Sequence, residues 1–182
     1  MNTANTITVL RICLIPLFLL AMSPLLSWLP YSIYIAAALF VLAAATDKLD
    51  GYIARKYNQV TNLGKLLDPL ADKLLICAAL VMLVEAHKLP SWIAVVIIGR
   101  ELLITAIRIM GAMRNIVLAA DRYGKLKLVM QVAAIAVMLL EDAFAGFEQW
   151  PGLILMFAAV VLTLYSGYNY MRTNYKLLGL HA

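Results

Sequence analysis

Four aspartates in the segment TDKLDGYIARKYNQVTNLGKLLDPLADK, Thr46 to Lys73, are the residues of this chain best placed to do chemistry. Asp47 and Asp50 are three apart, so on a helix they share a face. Ala54 continues that face, with Gly51 beside it. After the polar stretch NQVTN, Gly64, Asp68 and Asp72 recur at intervals of four, again on one face. Carboxylates are costly between apolar runs, and four at one place cannot all stay ionised without cations. Oxygen-only ligands favour hard divalent ions, magnesium first, with manganese or calcium as alternatives. Two such ions about 4 Å apart are the arrangement used for in-line displacement at phosphorus. The plainer alternative pairs the aspartates with Lys48, Arg55, Lys65 and Lys73 as interfacial salt bridges. It accounts for any one aspartate, but poorly for four at facing helical spacings beside small residues.

Such a constellation needs two neighbouring helices, and composition says what they run through. Of 182 residues, 64% are hydrophobic and 14% charged, against about half and a quarter in a soluble domain. The apolar runs approach the roughly 20 residues that cross about 30 Å of hydrocarbon, and they do not alternate as barrel strands would. The expected fold class is all-α integral membrane: six transmembrane helices with a short N-terminal amphipathic segment, in one domain over residues 1–182. The predicted spans are Ile7–Leu29, Tyr31–Tyr52, Gly64–Ala86, Pro90–Met113, Tyr123–Leu140 and Pro151–Tyr170. Pro30, Pro90 and Pro151 stand where helices should begin. The first span reads as a retained helix rather than a signal peptide, because its apolar part is long and no small-x-small cleavage site stands out. Cys13 and Cys77 fall inside apolar helices and read as buried thiols.

Charge orients the spans. Arg11, Arg55, Lys56, Lys65, Arg114, Arg122, Lys125, Lys127, Arg172 and Lys176 fall at the N-terminus, the second and fourth loops and the C-terminus. The opposite loops carry His87 and Lys88 with Glu85, Glu141, Asp142 and Glu148. An excess of basic residues marks the cytoplasmic side, so both termini and the aspartates are expected at the cytoplasmic face of the cell membrane. The net charge of +5 then reports orientation and anionic headgroups. No basic tract interleaved with aromatics suggests nucleic acid. Trp28, Trp92 and Trp150 sit near the opposite ends, as interfacial anchors do.

The pattern Asp47-x2-Asp50-Gly51-x2-Ala54-Arg55-x8-Gly64-x3-Asp68-x3-Asp72 resembles the signature of the CDP-alcohol phosphatidyltransferases, with every position filled. The resemblance implies a six-helix membrane enzyme, commonly a homodimer, that displaces CMP from a CDP-linked donor. It implies that Asp47, Asp50, Asp68 and Asp72 share two divalent ions. Asp47, Gly51, Ala54, Arg55 and Gly64 would lie against the CDP group. Gly51, Ala54 and Gly64 also suit close helix packing, a role compatible with the first. Asp72 resembles the general base that takes a proton from the acceptor hydroxyl, and no serine, cysteine or histidine nucleophile stands near the motif. Arg55 either reaches the donor phosphate or snorkels to the cytoplasmic boundary.

The acceptor is read from a second cluster. GRELLITAIRIM carries Arg100, Thr105 and Arg108 in the fourth span, and RYGKLKLVMQ carries Lys125 and Lys127 at the start of the fifth. Arg100 and Arg108 are eight apart, near one helical face, and Arg100 is deep enough in apolar surroundings for a bare guanidinium to be costly. Glu101 adjoins Arg100 in sequence but projects to another side of a helix, so it is not expected as its partner. Arginine binds phosphate oxygens in a fork. An acceptor carrying a phosphate would need such a cluster, whereas inositol, serine or ethanolamine would not.

Arg100-Glu101-x3-Thr105-x2-Arg108 with Gly124-Lys125-x-Lys127, and Asn5-x2-Thr8-x2-Arg11 at the start, look like the phosphatidylglycerophosphate synthase branch of the family. That branch implies CDP-diacylglycerol as donor and glycerol 3-phosphate as acceptor. Two positions depart from it: Ala4 stands where proline is frequent, and Leu128 where threonine is common. The nearest rivals are a cardiolipin synthase or an enzyme with an inositol-phosphate acceptor. A divalent-cation transporter would need polar residues continuing across the bilayer, and LAAATD and LLICAALVMLV offer an ion no route.

Overall fold

The computed structural model describes residues 3–26, 28–29, 31–56, 62–113, 122–141 and 150–174, with side chains described except at 3–8, 47–56, 62–70, 72, 112, 122, 123 and 125. Among these residues six α-helices follow one another: α1 Thr3–Met22, α2 Ser32–Lys56, α3 Asn62–Glu85, α4 Ser91–Met113, α5 Arg122–Leu140 and α6 Trp150–Asn174. The all-α expectation holds.

Helix ends follow local chemistry. The first predicted span ran to Leu29, but α1 stops at Met22 and a single 3-10 turn, Pro24–Leu26, follows. Ser23 turns its hydroxyl back to the Leu20 carbonyl at 2.8 Å, and Pro24 has no N–H with which to continue the helix. The amphipathic segment expected ahead of the first span is no separate element, because α1 runs unbroken from Thr3. No glycine or proline interrupts it before Pro16, and that residue forfeits only one intrahelical bond on an exposed face. At the end of α3, His87 takes a left-handed conformation (φ 57°). The Lys88 amide bonds the Leu83 carbonyl and the His87 amide that of Val84, both at 3.0 Å, so the last carbonyls are satisfied.

The 25-residue α6 is long and apolar enough to cross a membrane; Val9–Met22, Ser32–Thr46 and Leu126–Leu140 form shorter apolar stretches of α1, α2 and α5. α1 packs on α2 and α3, α2 on α5, α5 on α6, and α4 on α3 and α6. Their shared core joins Phe18, Phe40, Leu75, Leu80, Ile97 and Ile135 to small residues such as Ala36, Ala79 and Ala134, which let backbones approach. The Phe18 and Phe40 rings meet at 5.9 Å across α1 and α2. Leu17, Leu42, Val81, Val95, Leu102 and Val161 point outward and are exposed. An apolar surface spread over five helices is unlike that of a soluble monomer.

At the end of the bundle away from the aspartate-bearing segment, Glu141 accepts a hydrogen bond from the Gly152 amide at 2.6 Å. Its buried carboxylate thereby serves the N-terminus of α6, where negative charge is favoured. Lys88 Nζ donates to the Met138 carbonyl at 3.0 Å, closing the end of α5. Both were read as loop charges, and both have become helix caps.

Gly152 has no room for a side chain: a Cβ there would lie 2.4 Å from Met138 Cγ and 2.9 Å from Glu141 Oε1. Overpacking of this kind costs about 1–3 kcal/mol. Gly152→Ala should lower the apparent thermal midpoint in detergent by several degrees, and an unchanged midpoint would show that the α5–α6 corner yields.

Candidate active site

Asp47, Asp50, Gly51, Ala54 and Arg55 lie on the final turns of α2, and Gly64, Asp68 and Asp72 on the opening turns of α3. The helical registers assumed from sequence are therefore present, and α2 and α3 pack against each other. The side chains of these eight residues, and that of Lys125, lie outside the described residues. Among the described residues no three histidine, cysteine, aspartate or glutamate side chains gather as a metal would require.

What is described begins one residue beyond Asp72. Lys73 on α3 donates its ammonium to the Thr105 hydroxyl on α4, and that hydroxyl bonds back to the Glu101 carbonyl at 2.6 Å. The Glu101 carboxylate takes Arg100 Nη1 at 3.2 Å and forms a second ion pair, through the same oxygen, with Lys127 of α5. Arg100 Nη2 donates to Ser166 Oγ on α6 at 2.7 Å. Side-chain exposures of 11% for Arg100, 15% for Glu101 and 6% for Lys127 put these charges nearly out of water. Removing one partner from such a group leaves a buried, uncompensated charge.

Glu101 therefore corrects the sequence reading, which gave Arg100 no partner beside it. Successive helical residues diverge at Cβ, but a three-carbon stem lets the guanidinium swing round to its neighbour. Its stem runs along Gly167 of α6, where a Cβ would stand in van der Waals contact with Arg100 Cγ at 3.4 Å. Arg108 is not drawn into the ion-pair group. It is exposed, and its guanidinium lies over the Tyr170 ring at 5.4 Å from the centroid. Arg100 and Arg108 do share a face to the extent that both reach α6, at Ser166 and one turn later at Tyr170.

Sequence reasoning overlooked one feature and gave two others a different part. The first is a buried polar stripe on α6, Thr163, Ser166, Tyr170 and Asn174, whose spacings of three and four mark one helical face. Gln131 of α5 extends it by donating to Thr163 Oγ1 at 3.0 Å. The second is Lys73, weighed from sequence only as a salt-bridge partner for the aspartates, whereas it reaches Thr105 of α4. The third is Arg11, read as a positive marker of the cytoplasmic side. It is fully buried, with Nε 3.5 Å from the hydroxyl of Thr46, the residue before Asp47. The pattern Asn5-x2-Thr8-x2-Arg11 already singled it out, and its place in an otherwise apolar stretch of α1 is the physical sign of its burial.

A cavity of about 380 Å³ lined by Met22, Ser32, Met82, Glu85, Lys88 and Leu139 lies at the opposite ends of α1, α2 and α3. It is separate from the polar group around Glu101.

Comparison with known proteins agrees with the residue pattern. A family model described as CDP-alcohol phosphatidyltransferase matches residues 1–165. A CDP-diacylglycerol–glycerol-3-phosphate 3-phosphatidyltransferase of Bacillus subtilis (strain 168) is 40% identical, covering 97% of each chain. One of the same description from Pseudomonas fluorescens is 40% identical over 98% of this chain and 92% of its own. A probable phosphatidylglycerophosphate synthase of Mycobacterium tuberculosis (strain ATCC 25618 / H37Rv) is 36% identical over 98% and 84%.

The Tyr170 hydroxyl is buried and makes no hydrogen bond among the described residues, a state that costs about 1–3 kcal/mol. Tyr170→Phe should hold or raise the thermal midpoint of the substrate-free protein while keeping the ring under Arg108. A fall of several degrees would mean that the hydroxyl does make a stabilising hydrogen bond in the folded protein.

Proposed function

The chain belongs to the CDP-alcohol phosphatidyltransferase family, and on that footing we propose that it transfers the phosphatidyl group of CDP-diacylglycerol to sn-glycerol 3-phosphate, giving phosphatidylglycerophosphate and CMP. The names of its relatives from B. subtilis and P. fluorescens support both substrates. The observation that carries the reading is the contact between Lys73 and Thr105. It holds the turn of α3 that bears Asp72 against the turn of α4 that bears Arg100, Glu101 and Thr105. A group able to take a proton and a group able to hold a phosphate thus belong to adjoining turns of packed helices.

In this reading Arg100, Arg108, Lys125 and Lys127 bind the acceptor phosphate, with Thr105 fixed among them. A guanidinium meets phosphate oxygens through paired N–H donors, and an ammonium adds point charge. Asp72 accepts the proton of the acceptor hydroxyl as its oxygen attacks the phosphorus bearing the diacylglycerol. The bond to CMP breaks, and no covalent enzyme intermediate is needed. General-base assistance of this kind is worth about 10²–10⁴-fold. Asp47, Gly51, Ala54, Arg55 and Gly64 hold the CDP portion, the small residues admitting it close to the helix backbones.

Asp47, Asp50, Asp68 and Asp72 offer an all-oxygen, multiply anionic donor set. That chemistry fits two divalent ions, magnesium first with manganese as the alternative. When bound, such ions supply charge stabilisation to the pyrophosphate and the leaving CMP. The proposal extends to residues 1–182 acting as one membrane domain of six spans, with both termini and the site on the cytoplasmic side of the cell membrane. The outward apolar residues of five helices and the one-sided distribution of basic residues support it. The family resemblance adds a homodimer.

CMP release by purified protein in detergent, with CDP-diacylglycerol and magnesium, tests the reading. Turnover is expected with glycerol 3-phosphate, and not with inositol, inositol phosphate, serine or phosphatidylglycerol. Chelation should abolish it, and Asp72→Asn should reduce it by about 10²-fold or more. Release with another alcohol would overturn the acceptor assignment, and Asp72→Asn at full rate would overturn the base. Arg108→Ala should raise the acceptor KM at least tenfold, about the worth of one charge-assisted hydrogen bond, while the donor KM stays within about twofold. Equal effects on both would contradict its role.

A further inference from the structure

We propose that Glu101 is a positioning residue of the acceptor site: its carboxylate fixes Arg100 and Lys127, which come from different helices, as one phosphate-binding unit. The proposal rests on the acceptor reading above and adds a residue to which that reading gave no part.

Glu101 is where four helices meet through polar groups. Its Oε1 holds Arg100 from α4 and Lys127 from α5. Its carbonyl takes the Thr105 hydroxyl, which takes Lys73 from α3. Arg100 carries the connection on to Ser166 of α6. One residue thereby sets the spacing of both cations and joins them to the turn that follows Asp72.

Two physical effects make the carboxylate necessary. Arginine and lysine side chains hold much rotamer freedom, and ordering them for a small anion is costly unless it is done in advance. Two like charges side by side and nearly out of water also repel strongly. A carboxylate between them cancels most of that repulsion and leaves the outer N–H groups of Arg100 and Lys127 near each other. Without it the cations splay, and a phosphate must gather them at its own cost. This predicts that neutralising Glu101 weakens binding of an anion, although the site becomes more positive. An acid that merely competed with phosphate for the same cations would do the opposite, and its removal would tighten binding.

Steady-state kinetics of Glu101→Gln separate these cases, with glycerol 3-phosphate as substrate and inorganic phosphate as competing anion. The acceptor KM and the inhibition constant of inorganic phosphate should rise together, by about ten- to a hundredfold, the usual loss on breaking a charge-assisted hydrogen bond. The donor KM should move less than about twofold on the same scale. Glu101→Asp, which keeps the charge on a shorter stem, should fall between Gln and wild type, and it reads the same ratio if the Gln variant does not fold. A fall in the acceptor KM and inhibition constant would make Glu101 a competitor and overturn the proposal. Equal changes in donor and acceptor KM, or an Asp variant no better than Gln, would reduce it to a structural residue. Wild-type protein inactive with glycerol 3-phosphate would instead defeat the acceptor reading itself.

Discussion

Buried cations cannot stand alone in an apolar bundle, and that constraint organises the polar half of this protein. Arg100 and Lys127 are nearly out of water, in helices that otherwise pack mainly through apolar side chains. Each needs a partner, and Glu101 serves both. Ser166 takes another of the Arg100 N–H groups, and the arginine stem lies against Gly167 beside it. α4, α5 and α6 are thus held at one level by charge, in a region where burying apolar surface gives helices little preference for one another. The same need recurs with Arg11, whose buried guanidinium meets Thr46 at the threshold of the acidic segment.

The fold was largely legible because hydropathy and helix-breaking residues act locally. Runs of apolar residues placed all six helices, and Pro30 and Pro90, just before α2 and α4, and Pro151, the second residue of α6, marked where they begin. What failed was also local, but finer. Ser23 and Pro24 end α1 seven residues before the predicted limit, because a serine hydroxyl and a proline outweigh continuing hydrophobicity. Glu141 was read as a loop charge, although its contact with Gly152 depends on how α5 meets α6. No one-dimensional pattern contains that.

The site divides along the same line. Spacing alone put Asp47 and Asp50 on one helix face and Asp68 and Asp72 on another, and the helices run as the spacing required. The cationic cluster was legible as a list of residues but not as a set of partnerships. Glu101 was discounted because adjacent helical residues diverge, yet long side chains need not follow their Cβ directions. Lys73 was considered only beside the aspartates, and its reach across to Thr105 needed the packing of α3 on α4. The stripe of Thr163, Ser166, Tyr170 and Asn174 shows helical spacing in plain sight, but polar side chains in an apolar helix say little until their partners are placed, Arg100 for Ser166 and Gln131 for Thr163.

The central claim is that the Arg100 and Lys127 cluster reads the phosphate of the acceptor beside a catalytic aspartate. The most direct test is the ratio of kcat/KM for glycerol 3-phosphate to that for glycerol, by CMP release, in wild type and in Lys127→Ala. Strong discrimination is expected in wild type, and a ratio lowered by about tenfold or more in the variant. A variant that still turns over glycerol 3-phosphate with the wild-type ratio would contradict it.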